Sequence, residues 1–499
     1  MNVIGIDLGT SAVKLLLVDE AGTILNSVSK EYPLFLPHPG WSEQNPEDWW
    51  EAVKSGIREL LVESSATRRE RFTSASESVA AIGCAGQMHG LVALDGDGAV
   101  IRPAILWNDG RTSEEVDYLN NEVGRERLSA LTANIAFAGF TAPKLLWMKK
   151  HEPENFARIA KIMLPKDYIN WRLTGVHSCD YSDASGMLLL DVEHKRWSEE
   201  MLTLCGVSAA QMPRLYESWE PVGTLRADVA RELGLPESVK VVAGAGDNAA
   251  AAVGTGTVTD GACNLSLGTS GTVFIASDRF GVDPHNALHA FAHANGKYHL
   301  MGCMLSAASC NKWFCDEILR TEDYAAEQTE ITEDKLGRNG VFFLPYLMGE
   351  RSPINDTDAR GTFVGLAMST SRPDMVQAVL EGVAFAIRDS FEVARSLGLN
   401  IRRSALCGGG ARSPLWQKIL ANVLNIELDI PQTEEGPGYG GAMLALAGCG
   451  AGGVEASRAL VKIKATVAPD TELAARYEAQ YQKFREIYPA LRDLFPKLR

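Results

Sequence analysis

Two acids in this chain have neighbours that suggest chemistry. The first, Asp7, lies in Gly5-Ile6-Asp7-Leu8-Gly9-Thr10-Ser11. Val3, Ile4 and Ile6 read as one strand and Val13 to Val18 as a second, so residues 8–11 must form a tight hairpin turn. Glycine lets a ligand approach the backbone closely, and the Thr10 and Ser11 hydroxyls with nearby amides can hold a phosphate. A carboxylate beside a phosphate is repelled unless a divalent cation stands between them. Taken alone, the stretch fits an ordinary solvated hairpin equally well. The motif returns 259 residues later as Leu267-Gly268-Thr269-Ser270, with Ser266 in the place of Asp7 and Asp278 in that of Asp19. One repeat over half the chain reads as two similar halves rather than a solenoid. Two phosphate-type hairpins across a cleft, only one of them acidic, make the pattern of an ATP–metal site.

The second acid is Asp247, in Gly244-Ala245-Gly246-Asp247-Asn248-Ala249-Ala250. As G-x-G-x-x-A after a strand, this fits the dinucleotide turn of an NAD-dependent oxidoreductase. Against that, Asp247 would stand among the amides meant for a pyrophosphate, and no strand ends in an acid about 20 residues on. The competing reading makes Asp247 a general base. Phosphoryl transfer needs positioning, cation stabilisation and a carboxylate to orient the attacking hydroxyl and accept its proton. Asn248 can both donate to and accept from a sugar hydroxyl. An N-cap aspartate for the following alanine-rich helix also fits.

Gln87-Met88-His89-Gly90 ends a strand where open α/β sheets bind ligands. His89 there can bond a polyol and Met88 can pack on its carbon face, although a lone histidine is more often a satisfied structural residue. Gly408-Gly409-Gly410-Ala411 can lay bare backbone against adenine or phosphate, or simply enter a helix. His285, His289 and His293 have a metal-like spacing, but no carboxylate or cysteine completes a zinc set and the local pattern is a strand with an Asn-Gly turn. Neither a Walker phosphate loop nor a protein-kinase His-Arg-Asp loop occurs.

The elements around these residues read as α/β. Ser78–Ala85 and Val239–Ala243 are expected strands, and Leu91–Leu94 with Ala99–Ile101 an expected hairpin around Asp-Gly-Asp-Gly. A helix of about two turns is expected with Pro143 near its first position. Arg372–Leu397 reads as a long helix, Ser404–Cys407 as a short strand, and Ser413-Pro414 as an N-cap and first helical residue. Leu473, Tyr477, Tyr481, Phe484, Tyr488 and Leu491 mark an amphipathic helix. With 499 residues the chain suits two or more domains. Hydrophobic residues at 46% and charged ones at 22% exclude disorder. A net charge of −15 disfavours nucleic acid and anionic membrane as partners. Nine scattered cysteines without a C-x-x-C pair, and no leader before the first strand, suit a reduced, cytoplasmic protein.

GFTAPKLLWMKKHEPE (139–154) and GTFVGLAMSTSRPDMVQAVLEGVAF (361–385) occur together with WSEQNPEDWW, AGQMHG, RPAILWNDGR, LLPKDY, SDASGM, GAGDNAAAAVG, LSLGTSG, LSAAS, FLPYLMGERSP and GGGARSPLW. In this order, over essentially the full length, they make the chain resemble the FGGY carbohydrate kinases. The resemblance implies an α/β fold of two ribonuclease-H-like domains, as in actin and chaperone ATPases, with a central cleft. Residues 1–248 would form the sugar-binding side, 249–470 the nucleotide-binding side, and 471–499 a helix packing on the body. It implies ATP and Mg²⁺, and phosphorylation of D-xylulose to D-xylulose 5-phosphate as in D-xylose catabolism; a homodimer is compatible with it. Carried over, Asp247 is the catalytic base and Asp7 the metal-side carboxylate, holding Mg²⁺ partly through water. Met88, His89, Asp247 and Asn248 match the sugar pocket. Thr10, Ser11, Thr269 and Ser270 match the phosphate hairpins, Gly409, Gly410 and Ala411 the nucleotide loop, and Trp313 and Asn422 the adenine side. Kinases of D-ribulose, L-xylulose or a related polyol remain open alternatives, as does a nucleotide-dependent switch protein on the same fold.

Overall fold

A computed structural model describes residues 1–62 and 78–498. The chain divides into two compact units, Met1–Val258 with Ala290–Tyr298 and Glu435–Val461, and Thr259–His289 with His299–Glu434 and Lys462–Arg499.

The first unit is built on β1 (Asn2–Leu8), β2 (Ala12–Asp19), β3 (Ile24–Glu31), β4 (Val79–Gly86), β5 (Pro221–Thr224) and β6 (Lys240–Gly246), in the sheet order β5-β6-β4-β1-β2-β3. β4 lies parallel between β1 and β6; the other neighbours are antiparallel. Both faces of β1 are covered, so it reads as a continuous apolar run rather than an alternation. Ile4, Ile6 and Leu8 share a core with Trp49, Val53 and Ile57 of the helix Pro46–Leu61. Gly5 and Asp7 alternate onto the other face, against the helix Gly436–Gly448. That helix approaches backbone to backbone: a Cβ on Gly5 would lie 2.0 Å from the Gly438 carbonyl, and one on Gly440 1.8 Å from the Ala250 carbonyl. The glycines of GPGYGG are therefore a packing surface.

The second unit repeats the plan with β7 (Cys263–Leu267), β8 (Gly271–Ser277), β9 (Tyr298–Met304), β10 (Arg403–Cys407), β11 (Glu427–Pro431) and β12 (Ile463–Val467), ordered β9-β8-β7-β10-β11-β12. Again a hairpin is followed by two parallel strands and an antiparallel edge. The hairpins differ by one residue: Leu8 pairs with Val13, but Leu267 pairs with Gly271. The helix Arg372–Ser396 starts at a capping box of Ser371 and Asp374, and Ser413 caps Pro414–Leu424 as its sequence suggests. The helix Thr471–Leu491 docks Tyr477, Tyr481 and Phe484 around Phe385.

Three expectations change. The Asp-Gly-Asp-Gly turn exists, but its return limb makes only an isolated bridge, Leu94 with Val100; the ladder of Val92–Leu94 is with Lys161–Met163. Pro143 is the third residue of a helix of 11, Thr141–His151. Of residues 249–470, expected as one domain, 249–258, Ala290–Tyr298 and Glu435–Val461 belong to the first unit.

Candidate active site

Asp7 is the penultimate residue of β1, opposite Lys14 in the ladder and beside Ala85 of β4. Burial and the charge of Asp247 push its carboxyl up to about 7, Lys14 pulling down and Glu435 adding to the rise. Lys14 and Glu435 form an ion pair at 2.8 Å. Asp7, Asp247 and Glu435 thus crowd negative charge that Lys14 offsets only in part. Carboxylate oxygens in that setting are the hard donors a small divalent cation takes.

The hairpin beyond Asp7 is fixed by three separate motifs. Gln44 Nε2 donates to the Thr10 carbonyl (2.6 Å), Gln87 Nε2 donates to Gln44 Oε1 (3.0 Å), and the Thr10 hydroxyl donates to Gln87 Oε1 (3.3 Å), closing a ring. Trp107 Nε1 donates to Thr10 Oγ1 (3.0 Å), and the Tyr32 hydroxyl donates to the Gly9 carbonyl. Ser11 is exposed at the tip.

Asp247 is the first residue of the helix Asp247–Gly254, Gly246 being the N-cap. Its carboxylate accepts from its neighbour, the Asn248 amide at 2.7 Å and Asn248 Nδ2 at 3.0 Å. The start of the helix is thereby occupied by the protein's own anion, where a dinucleotide turn would need a pyrophosphate. Burial raises the Asp247 carboxyl to about 6, with the Asn248 bonds opposing. A β-bulge aims it: three steps on β6, Val242 to Ala245, face two on β4, Gly83 to Ala85. Gly244 absorbs the bulge at φ 76°, where a Cβ would fall 1.9 Å from the Cys84 carbonyl.

Met88 fills the space that side chains at Gly246 and Gly186 would take, and its sulfur lies 3.9 Å from Asn248 Nδ2. His89 holds a left-handed backbone, φ 69°. Its Nδ1 lies 2.7 Å from the Gly186 carbonyl. The His89 carbonyl accepts from the Thr141 hydroxyl (3.0 Å) and from Lys144 Nζ (2.9 Å). The structure thus brings Met88, His89, Asp247 and Asn248 together, with Asp7 in electrostatic reach of Asp247.

In the second unit, Thr269 and Ser270 are exposed at the hairpin tip. The Gly268 carbonyl accepts from the Ala308 amide (2.8 Å) and the Thr269 carbonyl from the Ala307 amide (3.0 Å) and Ser309 hydroxyl (2.7 Å). Gly408 lies against Leu267 and Gly268, so the loop after β10 adjoins the hairpin. Gly409 to Arg412 form one 3₁₀ turn; Gly409 has open space where a side chain would project, and Ala411 is buried. Trp313 is half-buried, its ring parallel to Phe343 at 6.4 Å. Asn422 is different: it is 1% exposed, its Nδ2 donates to the Lys418 carbonyl and its Oδ1 accepts from the Asp470 amide (2.7 Å). Its amide is spent on tying two helices, so the structure does not bring it to a ligand.

His293 Nε2 lies 2.8 Å from the Thr257 carbonyl. Among the described residues, the one group of three or more candidate ligands within 4.8 Å is Glu114, Glu115 and His151, where Lys150 is already paired with Glu114 at 2.5 Å.

The two halves of the chain match two halves of one family: residues 2–254 match the N-terminal domain, and residues 263–449 the C-terminal domain, of the FGGY family of carbohydrate kinases. The chain belongs to this family. It is 41% identical to the xylulose kinase of Escherichia coli (strain K12), over 98% of this chain and 99% of that one, and 37% identical to that of Bacillus subtilis (strain 168), over 99% and 97%. A crystal structure of a "xyloylose kinase" from Brucella ovis superposes with a TM-score of 0.93 at 41% identity, covering 99% of this chain and 100% of that one. The FGGY fold, two actin-like α/β units, is thus the fold of this chain, and the chain is a carbohydrate kinase that uses ATP.

Several residues of this FGGY kinase that shape the site carry no signal of their own in the sequence. Gln44, Gln87 and Trp107 are far apart in sequence and all bond to Thr10, and Lys144 and Thr141 share the His89 carbonyl. Glu435 sits 421 residues from its partner Lys14. The quoted motifs WSEQNPEDWW, AGQMHG, RPAILWNDGR and GFTAPK contain most of them, so the motif is the signal and the contact its reason.

Proposed function

We propose that the chain transfers the terminal phosphoryl group of ATP to D-xylulose, giving D-xylulose 5-phosphate and ADP, with Asp247 as general base. The carrying observation is Asp247 itself: a carboxylate grouped with Asn248, Met88 and His89, and raised by burial to about 6, where it is ionised at neutral pH yet still a useful base. The terminal sugar hydroxyl attacks the γ-phosphorus, its proton passes to Asp247, and the bond to the ADP oxygen breaks. Asn248 and His89 hold other hydroxyls, and Met88 packs against carbon. Asp7 and its acidic surroundings fit Mg²⁺, bound partly through water, which supplies neutralisation of the phosphate oxygens.

Thr10 and Ser11 on one hairpin, and Thr269 and Ser270 on the other, address the phosphates. Gly409, Gly410 and Ala411 provide bare backbone for the nucleotide, with Trp313 a candidate on the adenine side; Asn422 is left out because its amide is spent. No helix among the described residues is long and apolar enough to cross a membrane; the reading carries a cytoplasmic location and is compatible with a homodimer. Family membership and the named relatives support it. The test is coupled ADP release with Mg-ATP against D-xylulose, D-ribulose, L-xylulose, glycerol and no sugar. D-xylulose should give the largest kcat/KM; a better response to another sugar would replace the substrate, and release that ignores sugar would defeat the reading.

A further inference from the structure

Two amides of β6, Gly244 within the bulge and Gly246 just after it, bond to groups that a single carboxylate organises. The Gly244 amide donates to the Ser218 carbonyl at 2.9 Å, and the Gly246 amide donates to Ser182 Oγ at 3.2 Å. Both serines converge on Asp180 Oδ2, which accepts from the Ser218 hydroxyl (2.9 Å), the Ser182 amide (2.8 Å) and the Ser182 hydroxyl. The other oxygen of Asp180 pairs with Lys166 Nζ at 2.9 Å, and Lys166 also reaches Asp167 at 2.6 Å; none of these three side chains has any exposed surface.

A third buried carboxylate, Asp183, faces Lys166 at 3.6 Å; an ion set so deeply buried holds only where its charges stay closely paired, and through Asp180 Oδ2 both serines are tied to it. The set reaches the bulge at Gly244 and the strand beyond it at Gly246, so its last link is the amide of the residue preceding Asp247. We propose that Ser182 and Asp180, anchored by Lys166, are positioning residues that fix where the Asp247 carboxylate stands relative to the reacting hydroxyl. The inference rests on the reading of Asp247 as the base. Ser182 touches no substrate; it acts through Gly246. Freed of its acceptor, the turn into the helix shifts, and a displacement near 1 Å at a reacting group costs up to about 10²-fold in rate.

A double-mutant cycle separates this role from a general structural one. Ser182→Ala should lower kcat with D-xylulose roughly 10- to 100-fold while KM for ATP stays near the parental value. In an Asp247→Asn background the same change should have almost no further effect, because the group it positions no longer takes the proton. Equal losses in both backgrounds, or no loss in the parent, would overturn the proposal. If Ser182→Ala does not fold, Ser218→Ala loosens Asp180 while leaving the Gly246 bond, and the same non-additivity is required of it. The Asp247→Asn single variant distinguishes the two levels: parental turnover there would defeat the reading of Asp247 itself, before the cycle is read.

Discussion

Lys144 places its side-chain nitrogen 2.9 Å from the backbone carbonyl of His89, deep in the first unit and with no exposed surface of its own. Burial drives its pKa well below the ordinary lysine value, and its nitrogen also donates to the Gly139 carbonyl at 2.7 Å. Its work is to hold a histidine in the left-handed region, with the Thr141 hydroxyl on the same carbonyl. Lys144→Met should therefore raise KM for the sugar about 10-fold, the scale of one lost polar contact, with KM for ATP nearly unchanged. Steady-state kinetics in both substrates checks the split; an equal rise in both constants would mean a general loss of structure.

The pH dependence follows from Asp247. A base must be ionised to accept a proton, and burial lifts this carboxyl from the usual aspartate range to about 6. At saturating Mg²⁺, whose charge keeps Asp7 ionised although burial and Asp247 raise it to about 7, kcat/KM for the sugar should be level above that pH and fall about tenfold per unit below it, since kcat/KM reports the sugar-free enzyme. A profile flat down to pH 4.5 would assign the proton to another group.

Two glycines should behave oppositely. A Cβ on Gly440 would lie 1.8 Å from the Ala250 carbonyl, while one on Gly409 would meet nothing within 4 Å. Gly440→Ala should destabilise by at least about 1–3 kcal/mol, read as a lower melting temperature. Gly409→Ala should melt like the parent yet raise KM for ATP, because the nucleotide reading needs bare backbone there.

Gly440 also marks the limit of what the sequence discloses. Gly436-Pro437-Gly438-Tyr439-Gly440-Gly441 has the composition of a loop, and nothing local says that it opens a helix pressed onto β1, over 400 residues earlier. The hairpins, the strand before Asp247, the capped helix at Ser413 and the C-terminal amphipathic helix were legible because their signals are short-range: periodicity, turn residues and caps. Asp7 and Asp247 stand out as candidates for the same reason, each acid standing beside its glycines. The Thr10–Gln87–Gln44 ring and the Lys166 ion set were not, since their members are ordinary polar residues until the fold brings them together. Asn422 errs the other way, a polar residue well placed in sequence whose amide the packing consumes.

Divalent cation dependence tests Asp7. Chelation should abolish turnover and added Mg²⁺ restore it, and Asp7→Asn should raise the Mg²⁺ concentration for half-maximal rate about tenfold or more, the usual loss when a carboxylate at a metal is neutralised. An unchanged Mg²⁺ requirement in the variant would remove Asp7 from that role.

The central claim is that Asp247 takes the proton of the sugar hydroxyl. Single turnover of Asp247→Asn with Mg-ATP and D-xylulose, beside equilibrium ATP binding, addresses it directly. The chemical step should slow by about 10²–10⁴-fold with nucleotide affinity kept. A step within a few fold of the parent would contradict it.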